Sequence, residues 1–250
     1  MRSLSGVSIE ARIRDLYQTS LPQAAGVLHV AAVWAAPQGR LYNVLIGERT
    51  PLSETDDFAL GLARARADVI LTTGRILRAE PQLDFAWPDA FGGALAKWRE
   101  TVCGRASRPA VAVLTRGGDL NPQHPVLQSE RVSILTGRDA TLPKFRDDVA
   151  VVRRESPGLL DALRFLQDQA GCSTILVEAG PSTSAALYDG KATPDELLLS
   201  VYHGDSLPDG VRGSLFSSWE TFDSVGLVER SRCERREPSG RWSFHRLIRS

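Results

Sequence analysis

At 250 residues, with 30 Lys and Arg against 30 Asp and Glu, the chain is long enough to bury the core of one large α/β domain and carries no net field for nucleic acid or an anionic membrane. Cys103, Cys172 and Cys233 are far apart and never in C-x-x-C spacing, and His29, His124, His203 and His245 are equally scattered, so neither a disulfide framework nor a metal site is supported. Charged residues run through Arg14-Asp15 and no apolar run has bilayer-spanning length, so the expectation is a cytoplasmic protein whose partner is a small molecule.

Residues 8 to 18 set Ile9, Ile13, Leu16 and Tyr17 on one helical stripe behind Ser8 as N-cap, an N-terminal extension (1–20) that packs as a flap on the main body. Gly26 to Trp34 is an apolar run broken only by His29, and it reads as a central strand. Pro37-Gln38-Gly39-Arg40 turns the backbone into Leu41-Tyr42-Asn43. Ser53 with Asp56 three residues on forms a capping box, opening a helix that buries Phe58, Leu62 and Ala65.

That helix leads into Ala67–Asp84, the stretch around which a site can be organised. Val69-Ile70-Leu71 reads as a strand of a parallel sheet, buried on both faces. It stops at Thr72-Thr73-Gly74, where backbone N–H groups and a bare Cα let an anionic group come close. Six residues later Glu80 precedes Pro81, which holds its backbone extended at the helix exit. A plain βα turn followed by a solvated carboxylate explains the same residues, and at this point both readings stand.

Phe91 to Cys103 predicts a helix with Leu95, Trp98 and Val102 on one face and Gly104 as its stop. Strands follow at Pro109–Leu114 and Arg131–Leu135. The first ends in Thr115-Arg116-Gly117-Gly118, which suits an adenosine phosphate, with Thr115 as hydroxyl donor and Arg116 as cation, or simply ends a strand. Asp148–Val152 is a further strand, and Pro157 begins a helix that buries Leu159, Leu160, Leu163 and Leu166 and ends at Gly171. Thr174–Val177 then runs into Glu178-Ala179-Gly180-Pro181-Ser182-Thr183 and a helix through Leu187, a second strand–glycine–helix unit. A parallel sheet collects such ends on one edge, where ligands bind, although Ser182 and Thr183 serve equally well as helix caps. Pro194 opens the strand Glu196–Tyr202. Leu227–Cys233 and Arg241–Ile248 flank the turn Glu237-Pro238-Ser239-Gly240 as an antiparallel hairpin, with Arg230–Arg236 as a solvated edge.

The segments I-L-T-T-G-R-I-L-R-A-E-P-Q-L, T-I-L-V-E-A-G-P-S-T and D-E-L-L-L-S-V-Y together resemble the reductase domain of bacterial riboflavin biosynthesis, over roughly residues 26 to 248. The resemblance implies a dihydrofolate-reductase-like α/β fold, one domain over residues 1–250 with a mostly parallel central sheet, helices on both faces and a C-terminal antiparallel hairpin. It implies an NADPH-dependent reductase, cytoplasmic and homodimeric, that acts on 5-amino-6-(5-phosphoribosylamino)uracil. By position, Thr73, Gly74 and Arg75 fall at one phosphate turn, Glu178, Gly180, Pro181, Ser182 and Thr183 at the other, and Thr115 with Arg116 near the adenosine end. Glu80 stands where the family has an acid before proline and is the candidate proton donor. Arg40 and Asn43 follow the first strand, where the family binds substrate. Trp219 and Tyr202 are candidate interface aromatics.

Two departures keep alternatives open. Trp34 to Leu41 reads W-A-A-P-Q-G-R-L, with Gln38 in place of the aspartate of the family's Ser-x-Asp-Gly-Lys turn, and the acid pair before proline is reduced to Ala79-Glu80. A paralogue reducing another pterin-like or carbonyl substrate, or a non-catalytic nucleotide-binding relative, fits these changes.

Overall fold

The computed structural model describes residues 8–21, 25–44, 50–88, 90–190, 192–204, 216 and 218–250. Its strands are β1 (Gly26–Ala35), β2 (Leu41–Asn43), β3 (Val69–Thr73), β4 (Ala110–Leu114), β5 (Val132–Gly137), β6 (Ala150–Arg154), β7 (Thr174–Val177), β8 (Glu196–Tyr202), β9 (Leu227–Glu237) and β10 (Gly240–Arg249). They join one ten-stranded sheet in the order β6-β5-β4-β3-β7-β1-β8-β10-β9, with β2 added to β1. From β6 to β8 every pairing along that path is parallel, and β10 and β9 close the far edge as an antiparallel hairpin. The strands beginning near Val27, Val69, Val111 and Thr174 therefore lie side by side, as their unbroken apolar character requires.

Strand β3 shows why. Ile70 points into one cluster with Phe58, Leu62 and Leu95, while Val69 and Leu71 point into another with Leu163, Ile175 and Val177. Covering both faces takes helices on both: α1 (Ile9–Tyr17), α2 (Glu54–Arg66) and α4 (Gly92–Thr101) on the first side, α5 (Leu159–Arg164) on the second. Burying one such aliphatic group fully contributes roughly 1.5–3 kcal/mol. The N-terminal helix belongs to this core, since its four apolar residues are buried and it packs on β9 and β10. A third cluster, under Phe216 and Phe222 of the α7 region (Glu220–Ser224), covers β8 and β10.

Several local expectations are corrected. Ser53 Oγ accepts from Asp56 N at 2.9 Å, so the cap is made, but the Asp56 carboxylate accepts from Ser200 instead of closing the box. Val102 lies past the end of α4 and is exposed. The helix expected from Pro157 begins at Leu159, because Gly158 is still extended, and its last turn widens to π-helical spacing over Phe165–Gln169. Tyr202 is half-buried, its hydroxyl donating to the Ser239 carbonyl and its ring against Trp242, so of the two interface candidates Trp219 is the exposed one. Among the described residues no helix is long and apolar enough to cross a membrane.

Candidate active site

Strand β1 has a break in its partners on one side. Strand β7 leaves it after His29, and β2 joins it only at Val33, with Val44 N reaching Ala32 O at 2.9 Å. A crevice opens into this gap, bordered by Val30 to Ala32, by the α2 residues Asp56, Leu60 and Arg64, and by Glu80 and Glu178 to Pro181. Splayed strands at the carboxyl edge of a parallel sheet are where an α/β fold takes a ligand.

The two glycine turns meet beside it. Strands β3 and β7 are neighbours, so the turn into α3 (Gly74–Ala79) and the turn into α6 (Pro181–Ser184) leave the sheet together, and Arg75 Nη1 donates to Ser182 Oγ at 3.4 Å. Thr73 caps α3, its hydroxyl accepting from Ile76 N at 3.3 Å. The glycines differ in cause. A Cβ on Gly74 would stand 2.8 Å from Thr115 Oγ1, so packing against the neighbouring strand end demands glycine there. A Cβ on Gly180 would meet only Ile76 Cδ1, at 3.7 Å, and its φ of −62° suits any residue, so nothing in the protein's own packing requires glycine at that turn. Space kept bare without a packing reason fits a dinucleotide lying across the turn.

Thr115 is buried and folds its hydroxyl onto its own turn, accepting from Gly117 N at 3.2 Å. Arg116 beside it is exposed, as are Arg75 and Ser182, whereas Pro181 and Thr183 are half-buried. Asn43 is buried and borders the crevice, but Arg40 is exposed in the β1–β2 turn with Gln38, its carbonyl accepting from Ala36 N at 2.9 Å, and does not reach the crevice wall.

Glu80 caps the end of α3, its N–H donating to Ile76 O at 2.8 Å. Among the described residues it makes no ion pair with Arg75 or Arg78. Its backbone is held from outside the segment: His124 Nδ1 accepts from Val126 N at 3.2 Å, which leaves the proton on Nε2 to donate to the Glu80 carbonyl at 3.0 Å. The residue as a whole is exposed, yet its carboxyl borders the crevice, where desolvation and then the Glu178 charge raise its pKa above the ordinary value, against the pull of Arg64.

Glu178 accepts two hydrogen bonds from Arg64, Nε to Oε1 and Nη2 to Oε2, each 2.7 Å. Arg64 also reaches Ala86 O at 3.2 Å and lies over the Phe85 ring, 5.1 Å from its centroid. Burial lowers its pKa, but the Glu178 charge outweighs that, leaving the guanidinium firmly charged. Arg64 and His124 carry no local signal that marks them out, and Asp56 is marked only as a capping partner of Ser53. Arg64 sits in an A-R-A-R run of α2 whose charges look like solvated ends, and its partner is 114 residues away.

The RibD C-terminal domain model matches residues 45–201, more than half of the chain, and the protein belongs to that family of riboflavin-pathway reductases. It is thus an oxidoreductase. No curated protein matches the sequence. Among solved structures, a pyrimidine reductase-like protein of Corynebacterium diphtheriae shares 20% identity at a TM-score of 0.64, covering 97% of this chain and 98% of the other. RibD of Acinetobacter baumannii shares 17% identity at a TM-score of 0.60, over 90% of this chain and 58% of its own length. The Thermotoga maritima diaminohydroxyphosphoribosylaminopyrimidine deaminase/5-amino-6-(5-phosphoribosylamino)uracil reductase shares 16% identity at 0.58, over 90% and 57%. At these identities the likeness is one of fold, and this protein spans little more than half of either of the two longer ones.

Proposed function

We propose that residues 1–250 form one NADPH-dependent reductase unit that acts on 5-amino-6-(5-phosphoribosylamino)uracil, with Glu80 as proton donor. The observation that carries the reading is the convergence of the paired glycine turns and the raised-pKa carboxyl of Glu80 on one crevice. Thr73, Gly74, Arg75 and Ser182 hold the pyrophosphate of the dinucleotide, Gly180 lets it lie close to the backbone, and the exposed Arg116 takes the adenosine end, with Thr115 shaping the turn that carries it. Bound nicotinamide supplies the hydride.

Reduction of the ribosyl carbon, in its ring-opened imine form, leaves an electron pair developing on nitrogen as the new C–H bond forms. Glu80 delivers a proton to that nitrogen and becomes carboxylate. Arg64 occupies both oxygens of the Glu178 carboxylate, whereas desolvation and the Glu178 charge raise the pKa of the Glu80 carboxyl and so favour its protonated form, and the two acids take different tasks. Trp219, exposed beside the hairpin, supports assembly of two copies through this C-terminal region, which light scattering would read as twice the 27.3 kDa mass of one copy.

The test is NADPH oxidation with the aminouracil substrate, in the wild type and in Glu80→Gln. Turnover should fall by about 10²-fold or more in the variant, with NADPH affinity and melting temperature nearly unchanged. A variant that turns over normally but melts earlier would make Glu80 scaffolding.

A further inference from the structure

A histidine at the crevice has no role in that scheme. His29 stands opposite Val177 in the register of β1 and β7, at the last residue pair before the two strands part. Successive strand residues face opposite sides of a sheet, so it lies on the side of Val27 and Ala31, away from α2 and Leu28. Only 2% of its surface is open, and it borders the crevice beside the turn from Glu178 to Pro181.

Its tautomer is fixed from behind. Nδ1 is 2.6 Å from the Tyr188 hydroxyl, with the two rings tilted at 54° and their centroids 5.6 Å apart. Desolvation raises the Tyr188 pKa well above the ordinary value, so the phenol keeps its proton, and Nδ1 is its partner among the described residues. The hydroxyl therefore donates, Nδ1 accepts, and the one imidazole proton stays on Nε2. Burial lowers the His29 pKa to about 4, which leaves the ring neutral. Nε2 has no acceptor among the described residues and is not sealed in the interior, so it is open to the crevice that His29 borders. A desolvated donor without an acceptor destabilises the fold until a ligand supplies one. A neutral N–H matches an uncharged oxygen better than a phosphate, which draws charge-assisted donors such as a guanidinium.

We propose that His29 binds the cofactor, donating from Nε2 to an uncharged oxygen of the nicotinamide riboside, and that Tyr188 is its positioning residue. Two groups carry that chemistry, the carbonyl of the nicotinamide carboxamide and the hydroxyls of the ribose next to it. Placement favours this half of the dinucleotide. The pyrophosphate lies over the glycine turns in the reductase reading, and His29 lies beyond them, on the strand whose next residues, Val30 to Ala32, border the crevice. The inference rests on that reading for the identity of the cofactor and adds to it a fixed donor that orients the reacting half.

The probes are NADPH and 2′-phospho-ADP-ribose, which keeps the terminal ribose but lacks the nicotinamide, each titrated into the full-length protein. His29→Leu combined with Tyr188→Phe replaces the polar pair by an apolar one and leaves no orphaned group. That double variant should bind NADPH at least about tenfold more weakly than the wild type. If the carboxamide is the acceptor, 2′-phospho-ADP-ribose should bind both proteins alike, and if the ribose is, it should lose the same factor as NADPH. Nitrogen NMR of the wild-type histidines supplies a readout that a structural role would not move. The His29 proton should sit on Nε2, and saturating NADPH should shift the Nε2–H resonance while Nδ1 stays nearly still. Tyr188→Phe alone should mix the two tautomers and bind NADPH with an affinity between those of the wild type and the double variant. A proton found on Nδ1, or an Nε2–H resonance that NADPH leaves unmoved, would overturn the proposal. Equal NADPH affinity in wild type and double variant ends it while the reductase reading stands, whereas a wild type that binds no NADPH ends both.

Discussion

Arg64 of α2 and Glu178 at the end of β7 are joined by two hydrogen bonds of 2.7 Å, so the helix on one wall of the crevice is pinned to the turn on the other. Both side chains are largely withdrawn from water, 9% and 13% exposed. Removing one partner strands the other, which for a buried pair costs about 3 kcal/mol. Arg64→Met should therefore lower the denaturant midpoint at an unchanged slope, and Arg64→Lys should recover little, since an ammonium cannot reproduce the fork. Because Arg64 also lowers the Glu80 pKa, the limb of the pH–rate profile that reports Glu80 should move to higher pH in the Met variant. A limb that stays in place would uncouple the pair from Glu80.

The two glycines separate packing from binding. Gly74→Ala drives a methyl group against Thr115 and should cost roughly 1–3 kcal/mol of stability, as overpacking does. Gly180→Ala has room and an ordinary φ, so its thermal melt should match the wild type while its affinity for NADPH, followed by fluorescence titration, drops. Unchanged affinity would remove Gly180 from the cofactor site.

Arg116 is exposed at the end of β4, free to meet a 2′-phosphate. Arg116→Ala should weaken NADPH by about tenfold or more and leave NADH within a factor of about two. Parallel losses for both cofactors would show that the residue only shapes its loop.

His29 lies buried in β1 with Nδ1 2.6 Å from the Tyr188 hydroxyl, and burial lowers its pKa to about 4. The folded-state value is below the unfolded one, so its contribution to stability is complete above about pH 6.5 and is lost as pH falls towards 4. The loss amounts to about 3 kcal/mol by pH 4. The stability difference between wild type and His29→Gln, measured by urea denaturation, should shrink across that window. Asp56 has the opposite sign over nearly the same range, since its raised pKa makes burial costlier as pH rises from 3.8 to about 6, and the wild-type curve alone will therefore look flatter. A difference that does not vary between pH 7 and 4 would mean that His29 is hydrated.

What could be read from the sequence divides along physical lines. Strand identities and their parallel grouping were legible, because a strand covered on both faces must be apolar at successive positions, as Val69 to Leu71 and Thr174 to Val177 are. The glycine turns were legible as residue types, but not which of them serves packing, since that depends on Thr115, a neighbour only in space. Arg64 and His124 were invisible, and Asp56 was legible only as a capping partner of Ser53, for one reason. Each is defined by a partner far along the sequence, Glu178, Glu80 and Ser200 respectively, and hydrogen bonds of that kind leave no periodicity. Tyr202 misled because an aromatic residue at a strand end reads alike whether it meets solvent or a tryptophan.

The order of strands has a consequence for the protein's birth on the ribosome. Strands β3 to β6 come off in spatial sequence and can pair as they emerge, but β1, made first, sits between β7 and β8, which end at Val177 and Tyr202. For most of synthesis, then, the ten apolar or nearly apolar residues of Gly26–Ala35 have β2 as their only eventual sheet partner on hand. At about 5–20 residues per second that interval lasts roughly 10–30 s. During it the strand offers a bare template to any passing extended polypeptide, so this segment, rather than the crevice, is where a chaperone would be needed.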